Sequence, residues 1–540
     1  MSSVASLHAL ERVILLLLVM VAGFAVIAHR LKVPYPIVLV LAGLAISFVP
    51  HMPRIPLEPS LVFLIFLPPL LYSSAWSTSW REFRGNLVVI ALLAFGLVGF
   101  TVWGVAEFSD RFITALDWKA GFLLGAVIST TDAIAATSIA RSIGLPRRIV
   151  DILEGESLLN DATGLLALEI GVKLITSGET PTIESGMARL LYLVAAGLGI
   201  GLLIGVVVGW LERFIDDGPV ELVVSLIVPY AAYLAGEEIH ASGVLAVVAC
   251  GLYLSRQSAT FFSPSVRMQV VGAWGALTFV LNGIVFVLIG LQLPYVLAAI
   301  HGQYGTVTLV EYGVIFSVML IVLRMVWVFP AVKIASFVRR VTGHEEKVPG
   351  VRDIFVMGWT GMRGVIALAA AISVPEFRAN GEPFGPRNLI LFLAFCVILV
   401  TLVLQGLTLP SLIRALGLSR EKGMEPEEQY ARRVALKEAI EFLEESRKDS
   451  GEEFAHAYDD LIDRYEHRLV EVDEDHAEHG EHSKETYRQV LVLAEGAVQA
   501  ERRAVIRLRD EGLIGDDVLR IMERELDLEE ARYQVAEIQT

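Results

Sequence analysis

Within GESLLNDATGLLALEI (residues 155–170), a hydroxyl, an amide and a carboxylate recur at spacings that suit one side of a helix. At about 100° per residue, Ser157, Asn160 and Asp161 fall inside a sector of roughly 100°. Three hard oxygen donors on one face suit a small alkali cation. The carboxylate among them can hold a proton instead. Glu156 lies about 140° round from Asp161 and points to a different neighbour. The rest of the segment is mostly apolar or small. A carboxylate near the centre of a bilayer costs about 2.5–3.5 kcal/mol, so several in one segment imply a task.

Other charges reach similar depth when residues are counted along each apolar run at about 1.5 Å apiece. Asp132 lies between Lys119 and Arg141, Arg324 between Glu311 and Lys333, and Arg363 between Asp353 and Glu376. Four ionisable residues on four separate runs mark an ion or proton pathway better than a set of helix-fixing pairs. Arg363 has a depth suited to meet Glu156, and Arg324 is either a structural or a pathway charge. Two runs have polar centres: GAVISTTDAIAATSIA around Thr131 and Asp132, and GWTGMRGVIALAAAI with Gly358, Gly361 and Gly364 around Arg363. Hydroxyls and glycines at this depth predict broken helices whose freed peptide groups line an ion site.

The elements that must position these groups are transmembrane. The chain has 540 residues, 54% hydrophobic and 19% charged, with a mean hydropathy of +0.60. That is outside the soluble range and predicts an all-α polytopic protein. Apolar windows suggest about thirteen spans, near 8–29, 34–50, 57–76, 85–106, 113–140, 149–172, 189–211, 219–236, 240–255, 268–294, 308–332, 353–375 and 389–413. Alternate loops carry about fifteen basic residues against about eight, which puts the N-terminus outside and the C-terminus in the cytoplasm. HRLK follows the first apolar run as a cytoplasmic stop would, and no basic region precedes that run, so a cleaved signal peptide is not expected.

Residues 415–540 hold 34 acidic and 18 basic side chains, which accounts for the whole net charge of −16. Their three-to-four spacing of apolar residues predicts a soluble helical domain, apart from the exchange domain at 1–414. The acidity of that tail gives no reason to expect a nucleic-acid partner. His476, His479 and His482, among many acids, read as a solvated loop rather than a metal site. Cys250 and Cys396 sit in apolar runs and read as packing residues.

Three motifs together, STTDAIAAT, GESLLND and GMRG, resemble the monovalent cation:proton antiporter family that includes the sodium/proton exchangers. LPPLLYSSAW and HASGVLAVVACGL are also similar to family segments, and DEGLIGDDVLRIMERELDLEEAR resembles the tail of long bacterial members. The resemblance implies a homodimer of thirteen-span protomers with inverted repeats and two broken crossing helices. It implies that Asp161 binds cation and proton alternately, that Thr131, Asp132, Ser157 and Asn160 line the site, and that Glu156 and Arg363 form a structural ion pair. Asn160 before the aspartate implies electroneutral exchange. Two departures stand out: Ala133 follows Asp132 where many relatives have proline nearby, and Ser73 stands in the region where many have an acid.

The reading is therefore a secondary transporter of Na+, and also Li+, against H+ in a bacterial inner membrane. No cofactor is expected, and no metal beyond the transported alkali cation. Potassium/proton exchange is the nearest alternative. A cation channel would repeat a filter, and an intramembrane hydrolase would need a His with a Ser, HExxH or paired aspartates, none of which is apparent.

Overall fold

The structure is a computed structural model that describes residues 2–49, 58–177, 182–215, 217–341, 349–378, 380–418, 426–448, 455–472, 477–511, 513 and 516–539. Among these the backbone is helical throughout, apart from connections and one isolated bridge between Phe377 and Pro383. Two compact units divide the chain, Met1–Arg420 and Glu421–Thr540.

In the first unit the helices run α1 Ser2–Leu31, α2 Tyr35–Ser47, α3 Pro59–Ile65, α4 Leu67–Ser77, α5 Trp80–Ala91 and α6 Val98–Phe112. They continue as α7 Trp118–Ser129, α8 Ala133–Ile143, α9 Arg147–Thr176, α10 Ile183–Leu211, α11 Gly218–Glu238, α12 Gly243–Phe261 and α13 Pro264–Leu291. The last are α14 Leu293–Ile300, α15 Thr306–Val341, α16 Val351–Trp359, α17 Val365–Ile372, α18 Arg387–Val400 and α19 Gly406–Ala415. Wider π-helical turns at Leu92–Leu97 and Thr401–Gln405 join α5 to α6 and α18 to α19 without a break.

Each of the thirteen intervals read from the sequence falls on a helix or a helix pair. Among the described residues, however, nine helices are long and apolar enough to cross a membrane. The other four intervals fall on α2, α9, α12 and the α16–α17 pair. Of these, α2 is only 13 residues long, α9 carries charge along its length, and α16 and α17 are short halves.

Two apolar clusters fill this unit. The larger draws on α6, α7, α13, α15, α16, α17 and α18. The smaller is built on α4, α11 and α12. Helix α9 belongs to both: Ile152, Leu153 and Leu168 enter the larger, while Leu158, Leu159 and Ala162 enter the smaller. The polar middle of α9 thus lies where the two apolar masses meet.

In the second unit, α20 Pro426–Lys448, α21 Ala455–Val472, α22 Ala477–Asp510 and α23 Asp516–Gln539 confirm the helical spacing of the tail. Val498 and Val505 of α22 pack with Leu519 and Leu526 of α23, and Arg502 pairs with Asp527 at 2.8 Å and Glu530 at 2.6 Å. His476 lies outside the described residues; His479 and His482, expected in a loop, lie in the first turns of α22, whose helix starts at Ala477. Among the described residues no group of side chains is arranged to hold a metal ion.

Helices α2 and α13 meet at Gly43 and Gly290, where backbone replaces side chain as the contact surface. A Cβ on Gly290 would overlap the Val40 carbonyl oxygen, which cannot move without its helix. Small residues at such crossings are how helices associate closely in lipid. Gly290→Ala should therefore cost about 1–3 kcal/mol and lower the melting temperature in detergent. Gly99→Ala, which meets nothing within 4 Å, should leave it unchanged.

Candidate cation and proton site

Helix α7 stops at Ser129 because Thr130 turns extended, with φ −68° and ψ 141°. Helix α8 begins three residues later, with Asp132 immediately ahead of it. The Asp132 carboxylate caps that start: Oδ1 accepts the Ile134 N–H at 2.8 Å. A carboxylate is favoured at a helix N-terminus, where unpaired N–H groups converge. The second break separates α16 from α17 at Thr360–Gly364, where Gly364 is again extended.

The two breaks touch. The Asp132 N–H donates to the Met362 carbonyl at 2.8 Å, joining the extended strands directly. A Cβ on Gly364 would overlap Asp132 Oδ2, so the start of α17 also approaches that carboxylate. The sequence expectation of two broken helices is met, and at the first break the Thr131 hydroxyl and the Asp132 carboxylate bond to Glu156 and to the Ile134 N–H.

Each half-helix that ends here leaves carbonyls without partners, and two arginines take them up. Arg363 is 1% exposed; its Nε donates to Ile128 O at 2.7 Å and a terminal nitrogen donates to Gly361 O at 2.6 Å. Its own N–H donates to Thr401 Oγ1 at 3.1 Å. Arg324, 2% exposed on α15, donates to Met357 O from Nε at 3.3 Å and from a terminal nitrogen at 3.1 Å. Positive charge at a helix C-terminus offsets the partial negative charge there.

The expected pairing of Glu156 with Arg363 is corrected by this geometry. Glu156 is held by Arg324 through both carboxylate oxygens, with the Oε2 contact at 2.8 Å. Matching depth could not separate the two arginines. Arg363 sits inside a break, where nearby carbonyls claim its guanidinium, while Arg324 projects from an unbroken helix and reaches across. Glu156 also accepts from Thr131 Oγ1 at 3.1 Å, and that hydroxyl accepts in turn from Asn160 Nδ2 at 2.5 Å. Ser157 Oγ donates to the Thr131 carbonyl at 2.9 Å. A continuous polar chain, Arg324–Glu156–Thr131–Asn160, therefore fixes the first break against α9.

Beside this chain lies a cleft whose polar wall is Thr130, Thr131, Asp132, Glu154, Ser157 and Asp161, and whose opposite wall includes Phe63, Leu67, Leu71 and Phe286. Asp161 is 2% exposed and its Oδ1 has no hydrogen-bond partner. Such a buried orphan oxygen is rare in folded proteins. Asp132 lines the same cleft. Thus Asp161, Asp132, Thr131 and Ser157 share one cleft, whereas Asn160 is buried outside its lining and bonds to Thr131. Ser73 lines a neighbouring polar cavity. Sequence reasoning missed Glu154, seven residues before Asp161 and so on the same helix face, and Asn282, a lone amide in the apolar run of α13.

Crossed helix breaks, a buried aspartate and an apolar multi-pass scaffold define a membrane transporter rather than an enzyme. The comparisons with known proteins agree. A family profile described as sodium/hydrogen exchanger, transmembrane, matches residues 14–415. The chain belongs to this sodium/hydrogen exchanger family and is a cation/proton antiporter. An uncharacterized Na(+)/H(+) exchanger from Mycobacterium tuberculosis is 34% identical, over 96% of this chain and 95% of its own. A sodium, potassium, lithium and rubidium/H(+) antiporter from Bacillus subtilis is 30% identical, over 96% of this chain and 78% of its own. The structure of the sodium proton antiporter MjNhaP1 from Methanocaldococcus jannaschii shares the fold, with a TM-score of 0.61 at 19% identity, covering 77% of this chain and all of that one.

Breaking a buried ion pair by removing one partner costs about 3–5 kcal/mol because the other charge is stranded. Arg324→Met should therefore strongly reduce thermal stability in detergent, and adding Glu156→Gln should recover much of the loss. The same double-mutant cycle on Arg363 and Glu156 should show the smaller coupling. A larger coupling to Arg363 would mean that the pairing is wrong.

Proposed function

We propose that this chain exchanges Na+, and also Li+, for H+ by competition at Asp161. The observation that carries the reading is the buried Asp161 carboxylate with an unpartnered Oδ1 in a cleft shared with Asp132. A bare carboxylate out of water is strongly disfavoured. It is held by a proton or by a cation, and the protein changes the side to which the cleft opens only in one of those two loaded states. Exchange follows without a separate gate, and one proton per monovalent cation makes it electroneutral. In this reading Ser157 and Thr131 complete the cation's oxygen shell, Asp132 adds negative potential, and Asn160 holds Thr131 in place.

The likeness to the sodium, potassium, lithium and rubidium/H(+) antiporter of Bacillus subtilis supports a second reading, in which K+ is also carried through the same site. The basic loops support an N-terminus outside, a cytoplasmic acidic tail that regulates exchange, and residence in a bacterial inner membrane. A homodimer is the expected assembly.

Everted vesicles from an antiporter-deficient host test this. Sodium added to a preformed pH gradient should collapse it for the wild type, and Asp161→Ala and Asp161→Asn should abolish the response while still accumulating in the membrane. Because proton and cation compete, acidification should raise the apparent KM for sodium and leave the maximal rate little changed. Cation-dependent proton flux retained in either Asp161 variant would refute the reading.

A further inference from the structure

A second cavity adjoins the cleft, and the two share Ser74, Glu154 and Asn282 among their lining residues. Its character differs. Hydroxyls from three helices, including Ser77 on α4, Thr137 and Ser138 on α8 and Thr278 on α13, replace most of the apolar wall. Burial increases inward: Ser77 is exposed, Ser74 and Ser138 are half-buried, and Asn282 and Glu154 are each 7% exposed. Glu154 is the one charged side chain among the residues that line this cavity. It lies about 20° round α9 from Asp161 and two turns away, roughly 10 Å along the axis. A hydroxyl-lined path thus narrows from an exposed rim to one carboxylate, and the next carboxylate on that face is Asp161.

We infer that Glu154 is the vestibule ligand of the exchanger: it draws a monovalent cation from the hydroxyl-lined cavity and passes it along α9 to Asp161. Hydroxyls and one carboxylate offer an incoming alkali ion oxygens in place of part of its water shell. The negative charge raises the local cation concentration at the mouth of the low-dielectric cleft. Nothing in this role requires Glu154 to lack other partners, since a transit ligand need only offer one oxygen while the ion passes. Ser77 ends α4 just before Arg81, and Ser138 lies one turn before Arg141, both toward the side whose basic residues read as cytoplasmic. The vestibule therefore serves the face exposed on everted vesicles.

The inference rests on exchange at Asp161, and the test separates the two. In everted vesicles, Glu154→Gln should raise the apparent KM for sodium about tenfold, the effect of removing a unit charge roughly 10 Å from Asp161, and leave the maximal rate within about twofold. Glu154→Asp should return most of the affinity, and raising ionic strength with choline chloride should shrink the wild-type advantage. An unchanged KM in Glu154→Gln, or a fall in maximal rate at constant KM, would overturn the vestibule role while leaving exchange at Asp161 standing. No exchange by the wild type with any alkali cation would instead overturn the transport reading. Should Glu154→Gln fail to accumulate, Ser77→Cys in an otherwise intact chain should react with a charged thiol reagent from the vesicle exterior, and sodium should slow that reaction. No labelling, or labelling indifferent to sodium, would overturn the proposal.

Discussion

A helix that breaks inside a membrane exposes peptide groups where water cannot reach them, and the arrangement of this protein follows from satisfying those groups. Two half-helix C-termini are taken up by Arg363 and Arg324, one at Ile128 and Gly361, the other at Met357. At the opposite polarity, Asp132 caps α8 and lies against the start of α17. Charges are thus matched to helix ends of opposite sign, and the breaks are tied to each other by the Asp132–Met362 backbone bond. Glu156 balances Arg324 and transmits that anchoring to Thr131 and Asn160. Once these groups are paired, Asp161 stands out as the carboxylate in the cleft with a buried oxygen left over.

This division explains how a membrane interior can hold so many charges and still change conformation. The paired charges are structural, and moving them apart would strand them at several kcal/mol each. In the proposed mechanism Asp161 differs, because its partner is exchangeable: a proton or a cation. Asp161 sits on α9, a helix that contributes side chains to both apolar clusters.

Much of this was legible in the sequence, for reasons that particular residues make clear. Hydroxyl and glycine clusters around Asp132 and Arg363 announce broken helices, because neither composition suits an uninterrupted lipid-facing helix. The face shared by Ser157 and Asp161 follows from helical periodicity alone. Partner choice across helices does not: Arg324 and Arg363 have equivalent depth, and only tertiary packing shows that Gly361 and Ile128 carbonyls claim one of them. Asn160 lies on the expected face of α9, yet its amide turns to Thr131, a detail of rotamer and neighbour. Glu154 directly precedes GESLLND, and it joins the Asp161 face only when the helical period is carried back two turns. Span number is blurred because one interval is made of two short halves, α16 and α17, and another, α9, carries charges along its length.

The central claim is that one carboxylate holds either a proton or a cation. Its most direct test is proton release from purified protein in a weakly buffered detergent solution at a pH where the empty site is protonated. Adding sodium should release close to one proton per protomer, lithium should do the same, choline should release none, and Asp161→Asn should remove the signal. Sodium-driven release that survives in Asp161→Asn, or sodium binding to the wild type with no proton released, would contradict the account.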